Sequence, residues 1–247
     1  MKTEKFSIKY KNDIPGGLSI AIPFHGRYEN VTSLVSNIHR YAKGFDLEIL
    51  LMDDNSPNKD YINKFNDVAF MKQYQSDEHR GFGACVNAAM KNAAYKNFMV
   101  IHSDCKIDSN IFIPMYNCLE KYDLVSPKTN NPIEGDEAQK GDRTVTDDVL
   151  ISENFLSLYA FMIKTDLFKR LGGLKEYRYA FFENKELAVR MSLNKLKQGI
   201  CGAAFIHHQG HLTVMDVARK SQEARKQMEE NENLYINDLN KLVNNAK

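Results

Sequence analysis

The chain of 247 residues has no tryptophan, six prolines and four cysteines, Cys85, Cys105, Cys118 and Cys201, none of them in a C-x-x-C pair. That spacing gives neither a zinc knuckle nor a disulfide framework, so free, mostly buried thiols are expected. Charge of one sign is also missing. There are 33 Lys and Arg against 32 Asp and Glu, a formal net charge of +1. This excludes a general electrostatic grip on nucleic acid. No apolar run approaches the roughly 20 residues of a membrane span. The opening MKTEKFSIKYKND lacks the apolar centre of a signal peptide. The expectation is a cytoplasmic protein with no nucleic-acid partner and no integral membrane segment.

What is present suits an ordinary globule with a large core: 43% of residues are hydrophobic and 26% charged. Buried β-type runs are read at Leu18–Pro23, Leu47–Met52, Met71–Gln75, Phe98–Ile101, Leu124–Ser126, Tyr159–Lys164 and Gly199–His207. Helical spacing is read over Asn30–Tyr41, Gly81–Tyr95, Asn110–Lys121, Asp166–Leu171 and Phe182–Leu196. The alternation predicts an α/β fold with a mostly parallel sheet and helices on both faces. Lys128–Asn154 is polar and aperiodic, and reads as a long functional loop. From Asp216 onward the chain is charged and helix-prone. Its thin stripe of Val217, Ala224, Met228, Tyr235, Leu239 and Leu242 suits a surface helix or a homodimer contact. Two units follow, a main domain over 1–215 and a helical extension over 216–247.

Parallel sheets bind ligands at the carboxyl ends of their strands. Asp53–Asp54 and Asp104 both follow strands there. Such carboxylates can accept hydrogen bonds from a base or a ribose, although acidic residues also favour turns. Gly81-Phe82-Gly83 opens a helix and could bring backbone N–H groups to a nucleotide. Arg80 could reach phosphate or ribose, or stay solvated. Tyr179, Phe181 and Phe182 offer either a stacking wall for a sugar or core packing.

The ordered segments LSIAIPFHGR (18–27), EILLMDDNS (48–56), RGFGACVN (80–87), VIHSD (100–104), FMIKTDLFKRLGG (161–173) and FFENKELAVR (181–190), closed by His207-His208, resemble family 2 glycosyltransferases over about residues 17–213. The resemblance implies the GT-A fold and transfer of a sugar, hexosyl in type, from a UDP- or GDP-linked donor. The acceptor would be a hydroxyl of a glycan, lipid-linked saccharide or protein. It implies inversion and a divalent ion, Mn²⁺ or Mg²⁺. It places Pro23, Phe24, Asp53, Asp54, Arg80, Gly81, Asn87 and Asp104 around the donor nucleotide, with Asp54 at the base edge.

The family's Asp-x-Asp is represented by His102 and Asp104, so Asp104 is the expected metal ligand. His207, or its neighbour His208, completes the ligation, and mixed oxygen and imidazole donors favour Mn²⁺. Where the family has Glu-Asp with the Asp as base, this chain has Glu183-Asn184. An amide cannot take the proton, so Glu183 is the candidate base and Glu186 the next. The two departures at His102 and Asn184 keep open a sugar-nucleotide or glycan binding protein without turnover. A nucleotidyltransferase would need a glycine-rich basic loop after the first strand, which Pro23–Arg27 does not provide. A zinc site of His207, His208 and His211 would need a catalytic acid between them, and none is there.

Overall fold

Alternation along the first strands decides the layering. In β1 (Leu18–Phe24), Leu18, Ile20, Ile22 and Phe24 face one apolar cluster and Ala21 the other. In β2 (Leu47–Asp53), Ile49 and Leu51 join the first cluster while Leu50 and Met52 join the second. A strand apolar on both faces needs cover on both. Helices α1 (Tyr28–Tyr41) and α3 (Phe112–Cys118) cover the first face through Val31, Leu34, Ile38, Phe112 and Met115. Helices α2 (Phe82–Asn92), α4 (Thr165–Leu171) and α5 (Glu183–Leu193) cover the second through Val86, Ala89, Phe168, Leu187 and Met191. Each such side chain larger than alanine contributes about 1.5–3 kcal/mol on burial.

The computed structural model describes residues 14–58, 70–179, 181–210 and 221–245. The remaining strands are β3 (Met71–Gln75), β4 (Asn97–Ile101), β5 (Cys105–Lys106), β6 (Leu124–Thr129), β7 (Val149–Ile151), β8 (Ala160–Lys164) and β9 (Gln198–His208). They form one sheet in the order β3-β2-β1-β4-β8-β6-β9-β5, with β7 also on β9. From β3 to β4 all pairs are parallel. Strand β8 then runs antiparallel to both β4 and β6. Two reversals restore direction, so β6 and the parallel β9 end at the same edge as β1, β2 and β4. The chain ends of β1, β2, β4 and β9 therefore meet along one rim.

The segment read as a long loop carries more structure than its composition suggests. Strand β6 runs on to Thr129, a turn of 3₁₀ helix spans Glu137–Gln139, and β7 follows. Gln139 is fully buried and anchors the segment. Its Nε2 donates to Ser126 Oγ and to Ser157 O, and its Oε1 accepts from Ser157 N–H. A polar anchor leaves no apolar periodicity to detect.

The C-terminal helix, α6 (Gln222–Asn245), packs on the body beside α5. Ala224 and Asn231 are buried, Asn231 donates to Arg178 O at 2.9 Å, and Tyr235 stacks on Phe182 at 5.1 Å. Val217 and the boundary at 215–216 lie outside the described residues. Among the described residues, no helix is long and apolar enough to cross a membrane. All four cysteines are free and buried.

Candidate active site

At the β2 end the carboxylates are committed to the chain itself. Asp53 accepts from Ser56 N–H at 2.7 Å and from Gln75 Nε2 at 2.6 Å, which closes the turn. Asp54 accepts from the N–H groups of Arg80 and Gly81 at 2.8 and 2.7 Å, with His79 Nδ1 2.6 Å away. Burial alone would raise the Asp54 carboxyl, but His79 and the two N–H groups outweigh it and hold the carboxyl below its usual range. Asp54 thereby fixes the start of α2. Gly81 sits at φ 101°, and a Cβ there would lie 2.6 Å from Tyr179 N, so only glycine fits. His25 donates from Nδ1 to Asp54 O at 2.8 Å and stacks on His79 at 4.2 Å between centroids. His79 in turn leans on Tyr179 at 4.9 Å. Burial holds His25 below its ordinary value, against the pull of that carbonyl.

The β4 end differs. Asp104 is buried, and its Oδ1 accepts no hydrogen bond. His208 Nδ1 lies 2.9 Å from Asn131 O. A carbonyl can only accept, so Nδ1 donates there, and Nε2 is the ring atom that faces Asp104 Oδ1, 3.4 Å away. His102 Nδ1 lies 4.0 Å from the same oxygen. One ligand atom from each of His102, Asp104 and His208 falls within 4.8 Å of the others. Burial would raise Asp104, but His208 and His102 outweigh it and the carboxyl is held low. An unpartnered carboxylate oxygen facing two imidazoles fits a divalent cation.

The favoured histidine, His207, is not in this group. Its Nε2 lies 3.4 Å from Asp108 and 2.9 Å from Arg143, at the surface. Strand parity is the reason: Ala204 and Ile206 face the core, and His208 continues their side. The same parity separates His207 from His208, so the two do not share an ion. His211 lies outside the described residues.

The start of α5 is built under strain. Tyr179, Phe181 and Phe182 have φ of 72°, 82° and 74°. Left-handed backbone at non-glycine residues costs on the order of 1–3 kcal/mol each. Phe182 caps the helix in that conformation and delivers Glu183 into the cleft. Glu183 is 5% exposed, and its Oε1 has no hydrogen-bond partner. Burial, reinforced by Glu134, pushes its carboxyl well above the usual range. Asn184 donates to Glu134 O at 2.8 Å and so ties α5 to the 130s segment.

Three further expectations are corrected. Glu186 does not face the cleft. Arg190 clamps it through Nε at 2.8 and 2.9 Å and Nη2 at 2.6 Å, and donates onward to Gly173 O. Asn87 is a brace, bonded to both the N–H and the C=O of Leu174 and to Glu176. The Arg80 side chain pairs with Glu176 on the outer side, and only its backbone serves Asp54.

The cleft along this rim has about 1090 Å³, including its mouth, enough for a nucleotide-sized ligand. Of the residues singled out from the sequence, Pro23, Phe24, Asp54, Gly81, Asp104, Glu183 and His208 line it. Asp53 lies behind, on a separate small hollow beside Gln75 and Arg80. Sequence reasoning missed His25, His79, Tyr159 and Met228 at the cleft, and gave His102 no ligand role. The lone histidines carry no spacing signal, and Met228 arrives from the distant α6.

Several comparisons bear on this arrangement. The solved structure of GalNAc-T7 with UDP, GalNAc and Mn²⁺ superimposes with a TM-score of 0.62 at 14% identity, over 78% of this chain and 43% of that one. Residues 1–349 of S. aureus TarS give 0.60 at 15% identity, over 79% and 61%. The same protein in complex with UDP-GlcNAc gives 0.58 at 15%, over 77% and 58%. These similarities show a GT-A fold, and the chain spans about half of the length of the structures it matches. No curated protein matches in sequence. The family model for "Glycosyl transferase family 2" matches residues 19–183, about two thirds of the chain. On that match, and on a sheet whose strand ends carry the family's motifs in order, the chain belongs to glycosyl transferase family 2.

Proposed function

We propose that the protein transfers a sugar from a nucleotide-linked donor to an acceptor hydroxyl, with inversion and with a divalent ion. The observation that carries this reading is the buried Asp104 oxygen, without a hydrogen bond and facing His208 and His102 on the rim to which the family resemblance assigns the donor. Asp104 and His208, with His102 beside them, would hold the ion, and imidazole with carboxylate favours Mn²⁺ over Mg²⁺. Such an ion neutralises the charge that grows on the departing diphosphate. Solved relatives hold UDP, in one case with Mn²⁺ and in another as UDP-GlcNAc, which supports a uridine-linked donor over a guanosine-linked one. His25, His79 and Tyr179 offer ring faces on the Asp54 side of the cleft, suited to the base.

In this reading Glu183 takes the acceptor proton. Its buried, raised carboxyl is a strong base once ionised. The attacking hydroxyl loses its proton to Glu183 as its oxygen bonds to the anomeric carbon, and the nucleoside diphosphate leaves from the opposite side. The acceptor, a glycan, lipid-linked saccharide or protein, would approach over the side of the cleft that Glu134 and Asn184 line.

A second reading, donor binding without turnover, is favoured by one observation: Asn184 is an amide and is already bonded to Glu134. Calorimetry with UDP and GDP, with and without Mn²⁺, tests the binding claim. Absence of any Mn²⁺-dependent gain for either nucleotide would overturn it. UDP release from UDP-GlcNAc, lost in Glu183→Gln, separates enzyme from binder.

A further inference from the structure

A second convergence of ligand atoms lies away from the cleft. Cys118 closes α3, Cys201 sits within β9, and Asp148 immediately precedes β7. The two cysteines are 2% and 1% exposed. Their sulfurs and a carboxylate oxygen of Asp148 all fall within 4.8 Å of one another. The carboxylate is held in place from outside, as metal-binding carboxylates are. Asp148 Oδ1 accepts from Gly202 N–H at 3.0 Å, and Oδ2 pairs with Lys121 Nζ at 2.6 Å.

The two sulfurs hydrogen-bond one another, and Asp148 is paired with Lys121. A metal that displaced both thiol protons would leave two thiolates and a carboxylate, three negative charges, against which a divalent ion and the Lys121 ammonium supply three positive ones. We propose that Cys118, Cys201 and Asp148 bind one thiophilic divalent ion of the Zn²⁺ type. On binding, each thiol releases its proton to solvent, and both sulfurs and one carboxylate oxygen become ligands. Asp148 lies at the partly open side, where a water would complete a tetrahedron. Sulfur ligands select Zn²⁺ over Mg²⁺ or Ca²⁺. The cleft triad of His102, Asp104 and His208 contains no sulfur, so the two sites would sort ions by softness. The ion would pin the segment before β7 to α3 and to β9, the strand that ends in His208.

Cobalt titration of the reduced full-length protein tests the site. Co²⁺ should give a near-ultraviolet thiolate-to-cobalt band that saturates at one ion per chain, releases protons from both thiols, and is displaced by Zn²⁺. The band should persist in Asp104→Asn, vanish in Cys118→Ser and in Cys201→Ser, and need about 10-fold more Co²⁺ or beyond in Asp148→Asn. Because those serine variants touch the core, the wild-type protein supplies an independent measure. Zn²⁺ should protect both cysteines from alkylation during partial unfolding, read peptide by peptide in a mass spectrometer. A wild-type protein without the sulfur band would overturn the proposal, as would a band that survives either serine variant. So would a Cys118–Cys201 disulfide in the protein as isolated.

Discussion

The β2 end and the β4 end of the sheet both present buried aspartates to the same rim, yet they differ in what they have left to give. Asp53 and Asp54 are used up by Ser56, Gln75, Arg80, Gly81 and His79. Asp104 keeps an oxygen that no N–H or O–H reaches. The same contrast recurs within one helix. Glu186 is clamped by Arg190, while Glu183, one turn earlier, has an unpartnered oxygen. A buried carboxylate with a full set of partners holds the fold together. One held short of partners costs stability unless a ligand completes it, and this is where the chemistry is expected.

The largest effect is expected at Glu183. Glu183→Gln should lower kcat about 100- to 10,000-fold, with the donor KM little changed, in a UDP-release assay. Next, Asp104→Asn and His208→Ala should each weaken Mn²⁺-dependent UDP binding by about 100-fold, measured by calorimetry. Glu186→Gln should act on the fold instead. Breaking the buried pair with Arg190 costs about 3–5 kcal/mol, a Tm lower by roughly 10 °C, while the remaining folded protein binds UDP normally. If Glu186→Gln spared stability and abolished turnover, the division between spent and unspent carboxylates would fail. The smallest effect is expected at His207→Ala, within about twofold on UDP binding, the size of an ordinary surface change.

Acidity separates the same groups. Asp54 is held low in the folded state, so its contribution is present above the ordinary carboxylate range and lost as pH falls through its folded value. Glu183 is held high, so the protonated form favours folding below the ordinary range, and that advantage is lost as pH rises through its folded value. A Tm profile should therefore decline on the alkaline side in the wild type and flatten there in Glu183→Gln. Turnover should rise with pH over the same interval, because the base must be ionised.

Much of the scaffold was legible because its signals are local and repeated. Val31, Leu34, Val35 and Ile38 mark α1 by spacing alone, and the apolar run of β2 stops where Asp53 begins. Asp104 and Glu183 were legible from motif order. Asn87 was not, because the same amide in the same motif bonds Leu174, a residue far along the chain. His208 could have been preferred to His207 by following the parity of Ala204 and Ile206. The register shift between β6 and β9 at Pro127/Lys128 makes that count hard to carry through from sequence. The histidine stack on Asp54 had no signal, since it depends on β1, β3 and α2 arriving together.

The bond from Asn231 to Arg178 O, the contact of Asp238 with Tyr177, and the ring of Tyr235 against Phe182 join the last helix to the segment on either side of the strained Tyr179 and to the strained Phe182 before Glu183. The tail thus acts as a splint on the mounting of Glu183. Shortening the protein from that terminus should be felt first as a loss of the proposed turnover, and only later as a molten fold.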